Sequence, residues 1–317
     1  MAWEAMTIDE YAAFQRACGT HVVKIQDTWW VEPRPFFFRP LFPFAEVTPG
    51  LRNYPGQAVL GGVMHPVPAG ISGNSYMHLF LYDEPGAYSI DKLCCKHRQI
   101  IKKGLEIFQA KRIADLDLFI QQAPGIYQSF YNRTRYFYKK ERLNKDLFAA
   151  WAKPFFENPK IVVMGVYHEE KLSAIEIAYQ VEDVIIEDIY FSDTKSQPLQ
   201  VTDFMTHTIR EEAKSSNARF IFRGFPSGKQ TLDQSKITRG CKVLRLPAYC
   251  KINPIVLHLV RAFMGESYKK LVAITAFSDF TEENSCPATR GNSTARSLAE
   301  LSADREAGIS GSDPEKR

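Results

Sequence analysis

Residues 184–224, VIIEDIYFSDTKSQPLQVTDFMTHTIREEAKSSNARFIFRG, decide the fold. Val184 to Phe191 is apolar and aromatic apart from one adjacent acid pair, Glu187 and Asp188, and reads as a strand. A polar stretch follows, then a helical period from Val201 to Lys214, then a short strand from Arg219 to Phe222. A strand–helix–strand step of this kind is a right-handed crossover, so its two strands should run parallel. Upstream, Ile161 to Tyr167 and Leu172 to Tyr179 also read as strands, with the short turns HEEK and QVED between successive strands. Tight turns make these neighbours antiparallel. The expectation is a mixed α/β (α+β) central sheet with helices on both faces. Its antiparallel and parallel halves should part at Val184–Phe191, leaving a V-shaped slot beside a helix tip.

Outward from this segment, Ile107 to Ile113 and Lys242 to Tyr249 read as further strands, and Tyr76 to Tyr82 as an earlier one. Helical patterns start at Asp115, cover Lys145 to Phe156 and Leu232 to Thr238, and open at Pro254 to run to about Met264. Ser89 or Asp91 is positioned to cap a helix running to about Ile101, with Gly104 as its stop. Residues 57–75 (QAVLGGVMHPVPAGISGNS) read as a long loop. Trp29 to Phe44 holds seven aromatics and four prolines. That proline density excludes a helix and a central strand, leaving an extended segment whose rings pack on the sheet or line a groove. The expected division is residues 1–105 as an N-terminal region, 106–275 as the main domain and 276–317 as a disordered tail.

The composition is globular: 317 residues, 45% hydrophobic and 24% charged. It excludes a disordered chain, a collagen-like repeat and a disulfide-stapled miniprotein. The net charge is +4, but residues from Asp279 onward carry eight acids and five bases, so the remainder holds +7. Such a body favours an anionic ligand. The six cysteines form no CxxC pair; Cys94, Cys95 and His97 make a corner without a second ligand pair, and no metal is expected. The N-terminus lacks an apolar signal core and no stretch is long enough to span a bilayer, so the expected setting is cytoplasmic with free thiols.

The succession of elements resembles the GNAT acyltransferase fold, and more narrowly the FemAB-like acyltransferases, which carry two GNAT-type units in tandem. Three stretches carry the resemblance: KLCCKHRQIIKKGLEIFQAKRI (92–113), the strand–loop–helix segment 184–224, and KITRGCKVLRLPAYCKINP (236–254). It covers roughly residues 92 to 265, which would make the first ninety residues a divergent or reduced N-terminal GNAT-like unit. The implied activity is an N-acyltransferase moving an acyl or aminoacyl group from acyl-CoA or aminoacyl-tRNA to an amine. Many GNAT enzymes hold the coenzyme A pyrophosphate on a glycine-containing loop before the helix. Here that loop is Lys195-Ser196-Gln197-Pro198-Leu199-Gln200, without glycine. The backbone then cannot approach a phosphate as closely, and Pro198 offers no N–H. FemAB relatives that use aminoacyl-tRNA lack the same signature, so either donor fits.

Acyl transfer from an activated donor needs alignment, proton removal and stabilisation of an oxyanion. Glu187 is the first candidate base and Asp188 the second, because desolvation within an apolar strand raises a carboxyl's pKa. Neighbours on a strand face opposite ways, so only one of them can serve a given side. Glu176 sits similarly in the preceding strand. The alternative is that these acids are solvated or pair with Arg219 or Arg223. Tyr190 is the candidate acid, and Lys195, Ser196, Gln197 and Arg223 are candidates for donor phosphate.

Two basic runs remain. Residues 92–112 hold seven Lys or Arg against one acid, and residues 133–145 hold six against Glu141, with Tyr131, Tyr136, Phe137 and Tyr138 interleaved. Aromatics among arginines suit stacking on bases with phosphate contacts; solvated helix faces are the alternative. A non-catalytic GNAT-like binding module and a nucleic-acid-binding protein are therefore the competing functions. Gly224 to Gln230 fails as a phosphate loop by one spacer residue and by Gln230 where Ser or Thr is needed.

Overall fold

The computed structural model describes residues 3–134 and 140–277. In chain order the elements are β1 (Ala5–Met6), α1 (Ile8–Ala17), β2 (Val22–Ile25), β3 (Thr28–Arg34), β4 (Phe37–Pro40), β5 (Gly62–Pro66), β6 (Ser75–Asp83), α2 (Cys95–Ile107) and β7 (Phe108–Arg112). There follow α3 (Leu116–Thr134), α4 (Lys145–Glu157), β8 (Ile161–His168), β9 (Lys171–Val181), β10 (Val184–Ser192), α5 (Val201–Ala213), β11 (Phe220–Phe222), α6 (Gln230–Thr238), β12 (Lys242–Ile252), α7 (Pro254–Phe263) and α8 (Gly265–Thr275). The expected tail, residues 276–317, lies outside the described residues except for its first two positions.

Local chemistry sets the helix starts. Thr7 and Glu10 form a reciprocal capping box on α1. Asp115 accepts from the amides of Asp117 and Leu118 at the head of α3. Asn144 accepts from Asp146 and Leu147 on α4, and Pro254 opens α7 behind an Asn253 cap.

The described strands form one twelve-stranded sheet in the order β2-β3-β4-β5-β12-β6-β11-β10-β9-β8-β7, with β1 paired to β9 off this path. β8, β9 and β10 are antiparallel, and β10 runs parallel to β11, as the crossover requires. Strand alternation sorts the core into layers. Ile175, Ile177 and Tyr179 join Phe119, Phe148 and Phe191 beneath α3 and α4. Ala174, Ala178 and Ile185 join Phe204, Met205 and Ile209 beneath α5. Helices therefore cover both faces, and each fully buried Phe or Ile contributes on the order of 2 kcal/mol.

Four local expectations change. Residues 62–66, within the expected loop, are the fully buried strand β5, held by β12 along Gly62–Pro66. The segment 29–44 supplies β3 and β4, and β4 lies inside the sheet between β3 and β5. Its prolines are tolerated because Pro33 falls at a register shift between Val31 and Arg34 and Pro40 ends its strand. Trp30, Phe38, Phe42 and Phe44 are buried, so these rings pack within the fold. Helix α2 begins at Cys95 and runs through Gly104 to Ile107, while Ser89 caps only a 3-10 turn. Gly104 is a packing residue: a Cβ there would stand 3.2 Å from Phe204 of α5. Beyond the expected final helix, α8 adds a second one, packed beside β6.

Candidate active site

β10 and β11 share register only over Val184–Ile186 and Phe220–Phe222. Beyond Phe222 the chain turns to β6, where the Arg223 amide donates to the Phe80 carbonyl and the Phe80 amide to the Gly224 carbonyl. The strands therefore part after Ile186, as expected. At that point β10 carries a bulge: Glu187 pairs with Ala178, Ile189 with Ile177, and Asp188 is the extra residue. Alternation along β10 sends the two neighbouring acids to opposite faces, and the extra residue returns Tyr190 to the face of Glu187.

On the α5 face the angle between the strands is bridged. Arg223 and Glu187 form an ion pair at 2.6 Å, with side chains 13% and 2% exposed. Neither Glu187 oxygen has an aligned hydrogen-bond donor. Glu176, 1% exposed, lies on the same face with an unpartnered Oε2. Burial and then the Glu187 charge push the Glu176 carboxyl well above its ordinary range. Burial also raises Glu187, opposed by Arg223. Burial works against the Arg223 charge, but Glu187 and Glu176 hold it above its ordinary value. With one guanidinium serving two carboxyls, burial favours the neutral form of Glu176. Tyr190 faces this side, shares a hydrogen bond with Thr202 at 2.8 Å, and is raised by burial.

On the other face Asp188 is open to solvent. It nevertheless sits low among its neighbours, so burial raises its carboxyl; the Tyr179 hydroxyl, Arg142 and Arg39 oppose that rise. Tyr179 is itself fixed by Gln15, whose Nε2 donates to it at 3.1 Å, and by Tyr11 at 3.4 Å. Arg142 lies over the Trp151 ring at 4.3 Å and Arg39 over Phe225 at 4.9 Å. An accessible carboxylate of raised pKa within the field of two guanidinium groups can accept a proton, while the cations attract an anionic reactant.

The donor-loop candidates separate. Lys195 is exposed. Ser196 is 5% exposed, and Gln197 donates to Ser192 Oγ at 2.6 Å. Arg223 is committed to Glu187. The fold thus occupies Ser196, Gln197 and Arg223, and Lys195 alone of the four presents its charge outward. Glu187, the first candidate base, is the paired acid, and Asp188 is the accessible one. The loop amides are also engaged: Gln197, Leu199, Gln200 and Val201 donate to carbonyls of Thr194, Ser196, Gln197 and Ser196. Arg133, from the second basic run, braces this loop by donating to Thr194 Oγ1 and the Ser192 carbonyl. Arg135, Tyr136, Phe137, Tyr138 and Lys139 lie outside the described residues. Sequence reasoning missed Arg39, Tyr11 and Tyr179; the only signal was an arginine isolated among aromatics and prolines.

Comparison with solved structures agrees with this topology. A C-terminal domain assigned to lysylphosphatidylglycerol synthetase from Agrobacterium fabrum aligns at 12% identity and a TM-score of 0.55, over 84% of this chain and 93% of that one. L-PGS from Bacillus licheniformis aligns at 10% identity and 0.53, over 83% and 96%. FemX aligns at 8% identity and 0.52, over 83% and 100%. This is the FemAB-like, GNAT-type fold. No family model matches the sequence, and no curated protein matches it. Within the FemAB-like fold, the bulged β10 and its angle with β11 are where this chain's acids collect. Among the described residues no three His, Cys, Asp or Glu side chains are grouped to hold a metal, and no helix is long and apolar enough to cross a membrane.

Proposed function

We propose that this protein is an N-acyltransferase that takes an aminoacyl group from the ester of an aminoacyl-tRNA and passes it to an amine. Asp188 is the base in this reading. The observation that carries it is the placing of the two acids on opposite faces of β10, with Asp188 accessible and its carboxyl raised while Glu187 is locked to Arg223. Asp188 takes a proton from the attacking amine as its nitrogen closes on the ester carbonyl. Beyond Ile186 the edge of β10 has no register with β11, and its amides can face the developing oxyanion. Asp188, once protonated, returns that proton to the departing ribose oxygen, because Tyr190, the candidate acid, lies on the opposite, α5 face beside Thr202.

The donor follows from phosphate chemistry. A pyrophosphate cradle needs free, closely approaching amides, and here those amides close turns within the loop. Coenzyme A is the poorer fit. Lys140, Arg142 and Lys145, with exposed Lys195, offer single cationic contacts suited to a nucleic-acid backbone. The name lysylphosphatidylglycerol synthetase, carried by a structure of the same fold, denotes an enzyme whose product bears a lysyl group, and supports aminoacyl over acetyl transfer.

The test supplies radiolabelled aminoacyl-tRNA or acyl-CoA with a panel of primary amines. Transfer from tRNA alone, weakening steeply with salt and lost in Asp188→Asn, is the expected result. Transfer from acyl-CoA alone would overturn the donor assignment. Binding of tRNA without any transfer would establish a non-catalytic module instead.

A further inference from the structure

A second cluster lies apart from the β10 bulge, where α2 packs on the first turn of α5. Cys94 is the N-cap residue of α2, and its Sγ lies 3.4 Å from Nδ1 of His97, one turn into the helix. The other ring nitrogen of His97, Nε2, faces Asp203 Oδ1 of α5 at 3.6 Å, an ion-pair contact. Asp203 is held in turn by Arg239, which donates to its two oxygens at 3.0 and 3.2 Å. The His97 and Asp203 side chains are 12% and 5% exposed. The imidazole stands between the thiol and the carboxylate, so the three cannot converge on one ion; they form a linear relay of nucleophile, base and orienting acid. A narrow recess lined by His97, Asp203, Arg210 and Arg239 opens beside it.

We infer that Cys94 is an activated thiol that undergoes exchange with small anionic disulfides. Three independent features support this. Cys94 stands at the N-terminus of α2, where the helix end carries a partial positive charge that favours a thiolate nearby. The contact with Asp203 raises the His97 pKa, which favours an imidazolium beside a thiolate. Lys92, Lys96 and Arg98 lie within four residues of Cys94, and Arg98 is fixed at the helix start by donating to the carbonyls of Asp91 and Leu93. That field attracts an anionic partner.

The step balances without an outside oxidant beyond the disulfide itself. The Cys94 proton passes to His97 Nδ1. The thiolate attacks one sulfur of R–S–S–R, a Cys94–S–S–R bond forms as the original S–S bond breaks, and RS⁻ leaves and takes the proton from His97. Cys94 is oxidised and one sulfur of the reagent disulfide is reduced to a thiol. The neighbouring Cys95 is exposed and has no such relay, which makes it an internal control.

The experiment uses the full chain. Iodoacetamide is added at neutral pH and each cysteine is followed by peptide mass spectrometry. Exposure alone predicts that Cys95 reacts first; the relay predicts that Cys94 is faster by about tenfold or more. His97→Gln should slow Cys94 by about tenfold and leave Cys95 unchanged. With oxidised glutathione, a mixed disulfide should form at Cys94, and the cationic disulfide cystamine should react more slowly there. Equal or faster labelling of Cys95 would overturn the activation. Equal rates with the two disulfides would overturn the anionic class of partner. The Cys94-to-Cys95 comparison is made on the unaltered protein, so it does not depend on how any variant folds.

Discussion

Glu187 and Asp188 are consecutive acids on one strand, and the structure treats them in opposite ways. Glu187 lies on the α5 face, closed over by Arg223 and beside a second buried carboxyl. Asp188 lies on the other face, open and flanked by Arg39 and Arg142 at longer range. The difference teaches that alternation along a strand can give neighbours of the same type opposite surroundings. The α5 side is an electrostatic clamp joining two strands where they part. The opposite side leaves a carboxylate open to solvent beside the Tyr179 hydroxyl.

The largest effect should come from breaking the clamp. Arg223→Leu leaves Glu187 and Glu176 without their cation and should cost about 3–5 kcal/mol, read by urea unfolding; a loss under about 1 kcal/mol would mean that the pair adds little. Asp188→Asn should do the reverse. It should lower the transfer rate about 100-fold with less than about 1 kcal/mol change in unfolding free energy. If instead Glu187→Gln abolishes transfer while Asp188→Asn does not, the two faces have exchanged roles.

The two sides should also titrate differently. Asp188 has a folded pKa above its ordinary 3.8, so the transfer rate should fall on the acid side with a midpoint above that value. Glu176 is raised well above 4.5 in the folded protein. A carboxyl raised by folding binds its proton more tightly in the native state, so its contribution to stability declines as pH climbs from 4.5 towards the folded value. Glu176→Gln removes that decline: it should gain stability over the natural protein at pH 7–8 and lose the gain near pH 4, measured by thermal unfolding. The smallest change is expected for Lys195→Ala, about a threefold rise in KM for the nucleic-acid donor and a salt slope shallower by about one.

Much of this plan was legible in residues 161–222. Their tight turns force antiparallel neighbours, and the helical crossover forces a parallel one, so the angle between β10 and β11 follows from local rules. The bulge does not. Val-Ile-Ile-Glu-Asp-Ile-Tyr-Phe reads equally well as an unbroken strand, and only pairing with β9 shows which acid is the extra one. The clamp was visible as an alternative, since Arg223 follows the partner strand directly. Arg39 and Tyr11 were not, because they reach the bulge from β4 and α1, far away in sequence. The strand Gly62–Pro66 was hidden for a similar reason: Gly and Pro signal a turn locally, and its partner lies near residue 250.

That partner strand has a consequence for how the chain is made. β12 is wedged between β5 and β6, closing a seam opened almost two hundred residues earlier. During synthesis the leading third must wait, with two bare strand margins, until residue 252 leaves the ribosome. Such waiting invites chaperone binding and self-association. It also argues against expressing the leading third alone, since that fragment would lack the ribbon that fastens it.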